Sequence, residues 1–266
     1  MNEAHASGQE ATRSAIGWQR HRTAHRHPTC TRFKTESATG MSRRRAAGPH
    51  GPVAAVCVWP RLARFARDNA PATIAVAAVA NFPDGSTDIE RAVRDTGEIV
   101  QAGAQEVDVV LPYRALLAAD AKACTALLLA VRRASEGLKL KVILETGELR
   151  EPALMRRAAL IALDAGADFL KTSTGKTPVS ATPQAAEVLL RTIRDDARPG
   201  PPIGFKASGG VRTVAEAAVY IGLVESVLGA SALAPARFRI GASSLLGDIE
   251  ATLSGYAPTV KAATDY

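Results

Sequence analysis

Two lysines stand where apolar, strand-like segments end, a position that few lysines occupy. Lys171 follows Asp168–Leu170 in the stretch FLKTSTGK, and Lys206 occupies the corresponding position in IGFKAS. A buried ammonium group without a partner is costly, so such a lysine either lowers its pKa or finds a carboxylate. A second ammonium group nearby makes the first easier to deprotonate. We therefore expect one of the two lysines to be able to exist as a neutral amine.

A neutral lysine amine attacks carbonyl groups, and the product is a Schiff base. The protonated imine withdraws electrons and stabilises a carbanion on the adjacent carbon, as aldol chemistry requires. The residues alone leave a second interpretation open, in which the two lysines and a carboxylate form a structural ion cluster. The carboxylate candidate is Asp108 in EVDVV, which strand alternation places on one face with Glu106 and Val110. Three more polar side chains end or follow strand-like segments: Cys57, Asn81 and Glu145.

Two small-residue turns follow the last two strand-like segments. They are Ser208-Gly209-Gly210 and Gly241-Ala242-Ser243-Ser244, and each precedes a helical pattern. Backbone N–H groups at such turns and at helix N-termini bind phosphate. Arg212 or Lys176 could add positive charge. Glycines that merely allow tight turns are the alternative, but two such turns in succession favour a phosphate site.

Short apolar segments alternate with helical patterns from Pro52 onward, as expected for a parallel sheet. The predicted strands are Val53–Val58, Thr73–Val79, Glu106–Leu111, Leu140–Glu145, Asp168–Ser173, Ile203–Ser208 and Phe238–Ser243. The predicted helices include Asp88–Ala102, Leu117–Glu136, Glu151–Ala165, Thr182–Ala197 and Thr213–Leu223.

Seven such units in about 215 residues favour an α/β fold of the TIM (β/α)8 barrel type over a doubly wound sheet. No G-x-G-x-x-G motif follows the first predicted strand, which also counts against a dinucleotide fold. One strand of the barrel is not recognisable. It should lie within residues 1–50, where the best candidate is the weak stretch Thr29–Lys34.

The charge of the chain is concentrated at its N-terminus. Residues 1–50 hold nine Lys and Arg against three Asp and Glu, whereas residues 51–266 hold 24 against 23. We interpret the basic segment as a solvated, poorly ordered tail rather than a nucleic-acid site. No apolar run reaches the roughly 18–20 residues that span a membrane. Three scattered cysteines fit a reducing cytosol, so we expect a cytoplasmic protein.

All five histidines lie in the first 50 residues, and the nearly neutral remainder has none. If that remainder is an enzyme, it has no imidazole base and no metal held by histidine. Proton transfer must then fall to Lys, Asp, Glu, Tyr, Cys or water. We expect neither a metal nor a cofactor.

Six stretches between Val53 and Leu246 together resemble the deoxyribose-phosphate aldolase family of class I aldolases. They are VANFPDGS, EVDVVLPYRALLA, LKVILETGEL, AGADFLKTSTGK, GFKASGGVRT and RIGASSLL. The resemblance implies a TIM barrel that needs no metal. It also implies cleavage of 2-deoxy-D-ribose 5-phosphate to D-glyceraldehyde 3-phosphate and acetaldehyde, in the catabolism of deoxyribonucleotides. The binding partner would be a small molecule, a phosphorylated sugar, and members of the family usually form homodimers.

The same resemblance implies a role for individual residues. Lys171 would be the Schiff-base nucleophile, and Lys206 would lower the pKa of Lys171 and take part in a proton relay. Asp108 would act with Lys206 through a water as acid and base. Tyr266 would correspond to the family's mobile C-terminal proton donor. The alternative, that Tyr266 is an incidental terminal residue, is nearly as well supported by the sequence. The phosphate and hydroxyls would be held by Thr174, Gly175, Lys176, Gly209, Gly210, Gly241, Ser243 and Ser244.

The resemblance divides the chain into an atypical basic segment (1–50), an aldolase barrel (51–256) and a flexible tail (257–266). The family's first strand carries an aspartate, and residues 1–50 contain none. Residues 1–50 could form a degenerate first strand, or the strand could be missing and the protein impaired. They could also be an unnatural N-terminus, from a misassigned start or a frameshift upstream of about Gly51. The abrupt change in character favours this third explanation.

Two other functions compete with this aldolase. A Schiff-base barrel could act on a different phosphorylated sugar or keto acid. A catalytically impaired barrel could instead serve as a binding module, with its basic tail in contact with nucleic acid.

Overall fold

The computed structural model describes the backbone of residues 27–32, 47–48 and 51–254 and the side chains of residues 51–254. In this described part of the chain, nine strands lie in one sheet. In chain order they are β1 (His27–Arg32), β2 (Ala47–Gly48), β3 (Gly51–Val58), β4 (Ala75–Ala80), β5 (Glu106–Val110), β6 (Lys139–Ile143), β7 (Phe169–Lys171), β8 (Gly204–Ser208) and β9 (Phe238–Ala242).

The sheet is an α/β barrel of parallel strands. Strands β3 to β9 pair in chain order, each parallel to the next. Strand β1 pairs in parallel with both β3 and β9 and so fills the gap between them. The short β2 adds to β3 in antiparallel fashion. The predicted TIM-barrel fold is confirmed. Seven strands have a clear pattern in the sequence, and β1 lies at the seam of the barrel, between β9 and β3.

The expected weak strand Thr29–Lys34 overlaps β1, which begins and ends two residues earlier. Cys30 is paired with Ala55 on one side and with Gly241 on the other. A strand is therefore present at the stretch that the sequence indicated only weakly. Apart from β1 and β2, residues 1–50 lie outside the described residues, and so does the tail 257–266.

Nine α-helices are described. They are α1 (Ala63–Asn69), α2 (Ile89–Gln101), α3 (Tyr113–Leu117), α4 (Ala121–Ala134), α5 (Thr146–Leu149), α6 (Pro152–Asp164), α7 (Pro183–Arg194), α8 (Val214–Leu228) and α9 (Leu245–Leu253). No helix in the described part of the chain is long and apolar enough to cross a membrane.

Local sequence explains where several helices begin. The side chains of Asp88, Asp120 and Thr182 each accept a hydrogen bond from a backbone N–H of the first turn that follows. At α8, Thr213 and Glu216 form a reciprocal capping box. These caps fix the ends of the loops that connect strands to helices.

Strand alternation separates two environments. Outward residues such as Val107, Val109 and Leu170 are buried in the main apolar core under the helices. Inside the barrel, β3 and β4 contribute a small apolar cluster of Ala55, Cys57, Ala77 and Val79. The interior faces of β5 to β9 instead carry charged side chains: Glu106, Asp108, Lys141, Lys171, Lys206 and Arg239, all buried. The charged half of the interior holds the candidate site.

Candidate active site

Lys171 and Lys206 meet at one carboxylate oxygen. They are directly paired on β7 and β8, and each Nζ lies 2.7 Å from Oδ2 of Asp108. The two lysines are 1% exposed and Asp108 is fully buried. The three predicted chemical residues therefore form one cluster.

A third lysine belongs to the same cluster, and the sequence reasoning missed it. The Nζ of Lys141, on β6, donates to Oδ1 of Asp108 at 2.7 Å and lies 2.6 Å from Oε2 of Glu106. Its signal was available, since a lysine interrupts the apolar segment LKVIL two positions before Ile143. Lys141 lies inside its strand, so looking only at residues that end strands does not identify it.

The charges of this cluster stabilise one another. Burial alone would raise the pKa of the Asp108 carboxyl, but Lys141, Lys171 and Lys206 outweigh it and hold that pKa well below its usual range. Burial would lower the pKa of Lys141, yet Asp108 and Glu106 together raise it. Asp108 is thus an anion at neutral pH, able to accept hydrogen bonds.

A cavity opens directly above the two lysines. Its lining includes Lys171, Lys206, Cys57 and Arg212. Seven of the eight predicted binding residues also line it: Thr174, Gly175, Gly209, Gly210, Gly241, Ser243 and Ser244. Lys176 is exposed beside this wall, and its backbone N–H donates to Oγ1 of Thr174 at 3.0 Å. Tyr266 lies outside the described residues.

Two glycines of the wall could not be replaced without movement. Gly209 has a φ of 85°, and a Cβ there would lie 2.7 Å from the side chain of Ser180. A Cβ on Gly241 would lie 2.8 Å from Oγ of Ser208 and 3.1 Å from Cε of Lys206. Glycine is therefore required at both positions for close packing, and at Gly241 this packing is against Lys206.

Glu145 holds part of the cavity wall in place through hydrogen bonds. Its backbone is in the left-handed region, with a φ of 55°, and its carboxylate is buried. Oε2 accepts a 2.5 Å hydrogen bond from Oγ1 of Thr174, and Oε1 accepts one of 3.2 Å from Oγ1 of Thr177. Burial raises the pKa of this carboxyl. A buried carboxylate in a strained backbone conformation points to a positioning role for the loop that carries Thr174.

The two other residues at strand ends have different surroundings. Sγ of Cys57 lies 3.9 Å from Oδ2 of Asp108, so this thiol borders the cluster. Asn81 is fully buried, and its side chain bonds the carbonyls of Ser86 and Val110 and the guanidinium of Arg91. Asn81 therefore orders the loop after β4, and it is absent from the cavity lining.

Comparisons with known proteins agree with this architecture. The model of the DeoC/LacD family aldolase matches residues 33–247. A deoxyribose-phosphate aldolase of Agrobacterium fabrum (strain C58) is 44% identical over 222 residues, which cover 81% of this chain and 83% of that protein.

Solved structures also share the fold. A structure from Toxoplasma gondii ME49 that carries the name deoxyribose-phosphate aldolase superposes with a TM-score of 0.80 at 23% identity, over 93% of this chain and 97% of that one. The aldolase QR15 superposes with a TM-score of 0.70 at 27% identity, over 85% and 93% of the two chains. The extent of the family match and the identity to the Agrobacterium relative show that the chain belongs to the DeoC/LacD aldolase family.

Proposed function

We propose that the protein cleaves 2-deoxy-D-ribose 5-phosphate to D-glyceraldehyde 3-phosphate and acetaldehyde through a Schiff base on Lys171. The observation that carries the proposal is the contact of Lys171 and Lys206 with a single oxygen of Asp108, at the floor of a cavity walled by glycine and serine. The name of the Agrobacterium relative, a deoxyribose-phosphate aldolase, supports a deoxyribose phosphate as the substrate.

Formation of the Schiff base begins with the neutral amine of Lys171. Its nitrogen attacks the aldehyde carbon C1 of the open-chain sugar, and the resulting carbinolamine loses water to give a protonated imine. Lys206 favours the neutral form of Lys171 because two ammonium groups at one carboxylate oxygen repel each other. Asp108 holds both amines at the point of attack.

Cleavage follows from the electron demand of the imine. A base removes the proton of the C3 hydroxyl, the C2–C3 bond breaks, and its electron pair forms an enamine with C1, releasing D-glyceraldehyde 3-phosphate. Protonation of the enamine at C2 and hydrolysis of the imine release acetaldehyde and restore the amine. Asp108 and Lys206 would relay these protons through a water, and Tyr266 is our candidate for the proton donor at C2.

The phosphate group would lie at the turns after β8 and β9. The phosphate and hydroxyls of the sugar would be held by residues of the loop after β7 and of the turns after β8 and β9: Thr174, Gly175, Lys176, Gly209, Gly210, Gly241, Ser243 and Ser244, seven of which line the cavity. Ser244 precedes α9, so the N-terminal dipole of a nine-residue helix faces this end of the cavity. Holding the phosphate places C1 of an extended five-carbon sugar near Lys171.

The setting of the reaction is part of the same proposal. We place it in the catabolism of deoxyribonucleotides, in the cytoplasm, with the protein acting as a homodimer. Neither a metal nor a cofactor enters the steps above, so activity should survive treatment with a metal chelator.

The experiment is an assay of glyceraldehyde 3-phosphate release from 2-deoxyribose 5-phosphate. Lys171→Ala should abolish turnover, whereas Lys122→Ala, on the solvent side of α4, should leave it unchanged. The same proteins should be offered unphosphorylated 2-deoxyribose, whose KM should be higher because the phosphate contacts are lost. Equal turnover by Lys171→Ala and wild-type protein would refute the mechanism.

A further inference from the structure

The charged cluster continues below Asp108, away from the cavity. Glu106 lies two residues before Asp108 on β5, and its Oε2 is 2.6 Å from Nζ of Lys141. On the other side, Oε1 of Glu106 is 3.2 Å from Nη2 of Arg239 on β9. Charges therefore alternate across the barrel from Arg239 to Glu106, to Lys141 and to Asp108, which holds the two reactive lysines.

The position of Arg239 is fixed by its surroundings. Its guanidinium lies 5.7 Å from the centre of the Phe169 ring, and its Nε donates to the carbonyl of Pro235. A side chain at Gly204 would overlap the Phe169 ring, so this glycine makes room for the stack. The guanidinium is thus held against Glu106 by packing as well as by charge.

Direct hydrogen bonding does not satisfy this pair completely. Oε2 of Glu106 and Nη1 of Arg239 are buried, and neither has a hydrogen bond among the described residues. The close approach of Lys141 to Oε2, at 2.6 Å, is an ion pair. Leaving polar atoms unbonded in the interior is costly, so the arrangement depends mainly on charge.

Glu106 and Arg239 do not border the space for the substrate. Both are buried, and neither is part of the cavity lining. Any effect they have on the reaction must pass through Lys141 and Asp108. Burial would raise the pKa of Glu106, but Lys141 and Arg239 outweigh it and lower it to about 2, so Glu106 is a fixed negative charge at neutral pH.

The charge balance around the lysine pair depends on these two residues. From β3 to β9, the titratable and charged side chains that face the cluster are Cys57, Glu106, Asp108, Lys141, Lys171, Lys206 and Arg239. Two carboxylates face three lysines and one arginine. Removing either a negative or a positive charge from this buried set changes how readily the lysines hold protons, with opposite signs.

We propose that Glu106 and Arg239 are positioning residues that set, through Lys141 and Asp108, the pH at which Lys171 becomes a neutral nucleophile. This inference rests on the proposed Schiff-base function. It assigns a role in the reaction to a pair of residues that the substrate does not reach.

The test is the pH dependence of kcat/KM for 2-deoxyribose 5-phosphate, whose acid limb reports the deprotonation of an essential group in the free enzyme. Glu106→Gln removes a negative charge and should move the acid limb to lower pH by about one unit. Arg239→Gln removes a positive charge and should move it to higher pH by a similar amount. A purely structural role would lower activity without moving the limb.

Two controls separate charge from packing. Arg239→Lys keeps the charge and should leave the limb at its wild-type position even if turnover falls. The double variant Glu106→Gln with Arg239→Gln restores the charge balance, so its limb should return close to that of the wild type. The double variant also provides a folded comparison if one single variant is unstable, because it leaves neither partner as an unpaired charge.

The inference would be overturned if both single variants still release glyceraldehyde 3-phosphate but their acid limbs shift in the same direction or do not shift. A double variant whose limb remains displaced would overturn it as well. If the wild-type protein releases no glyceraldehyde 3-phosphate at any pH, the proposed function itself fails, and the two failures are thus distinct.

Discussion

At the scale of single residues, Asp108 is the centre of the site. One buried carboxylate accepts hydrogen bonds from Lys141, Lys171 and Lys206, all at 2.7 Å. An anion in this position brings together three ammonium groups that would otherwise repel each other. Asp108 therefore stabilises the fold through the same contacts by which, in the proposed reaction, it positions the lysines.

Asp108→Asn should strongly reduce both stability and activity. The amide keeps the shape of the carboxyl but removes the anion that Lys171 and Lys206 contact and leaves Lys141 with Glu106 alone, a loss of about 3–5 kcal/mol. Urea unfolding measures the first effect and glyceraldehyde 3-phosphate release the second. The matched control is Glu187→Gln, which removes an exposed ion pair with Arg191 and should cost less than about 1 kcal/mol. Similar losses in the two variants would contradict this account.

Glu145→Gln should weaken the binding of the phosphorylated substrate. The amide can accept fewer hydrogen bonds from the loop that carries Thr174 and Thr177, so that part of the cavity wall loses its support. We expect KM for 2-deoxyribose 5-phosphate to rise roughly tenfold, which is about 1.4 kcal/mol of binding free energy. KM for unphosphorylated 2-deoxyribose should change much less. An equal rise for both sugars would show that Glu145 does not act through the phosphate wall.

Charged residues in apolar, strand-like segments are rare, and this was enough to single out Lys171, Lys206 and Asp108 from the sequence, although only Lys171 ends its strand. Lys141 and Glu106 were not assigned a role from sequence. Both lie inside strands, where a single sequence does not show whether a charged side chain faces a partner across the barrel. Their importance follows from distances between residues that are far apart in the chain.

At the scale of elements, alternation of apolar segments and helical patterns predicted the seven strands from β3 to β9. The helix α1 was not predicted, since seven residues after Trp59-Pro60 give too little periodicity. Strand β1 was only a weak candidate because HPTCTR contains a proline and mostly polar residues. It is held by pairing with β3 and β9, which is long-range information.

Cys30→Pro should open the seam of the barrel. Cys30 pairs with strands on both sides, and proline has no N–H to donate and is poorly tolerated in the middle of a sheet. We expect a lower melting temperature and a loss of activity. Cys30→Val keeps the N–H group and is the control at the same position. Equal melting temperatures for the two variants would show that β1 does not contribute to closure.

At the scale of the whole molecule, the barrel interior is divided into an apolar side and a charged side. The small side chains of β3 and β4 fill one half, and the lysines, arginine and carboxylates of β5 to β9 fill the other. Such a division makes the stability of the barrel depend on pH, because its core contains groups that titrate.

Stability should fall as the solution is acidified from about pH 5 toward pH 2. The pKa of Glu106 is lowered from 4.5 to about 2, so the unfolded chain binds a proton in this range that the folded chain does not. The stability that this group contributes is complete above its unfolded pKa and is lost as pH falls through the folded one. The lowered pKa corresponds to about 3 kcal/mol, and the lowered pKa of Asp108 adds to the loss in the same direction.

Urea unfolding at a series of pH values measures this effect. In Glu106→Gln the stability should depend less steeply on pH between 5 and 2 than in the wild type, whatever its stability at pH 7. An unchanged slope would mean that Glu106 is not a charged core residue. Lys141, whose pKa is raised, contributes stability that is lost only as pH rises above its ordinary value.

The central claim is that Lys171 forms a Schiff base with the sugar, and borohydride trapping tests it most directly. Protein incubated with 2-deoxyribose 5-phosphate and borohydride should gain one reduced adduct, which peptide mapping should locate at Lys171. Lys171→Ala protein, treated in the same way, should gain none. Folded wild-type protein without an adduct, or with the adduct on Lys141 or Lys206, would contradict the account.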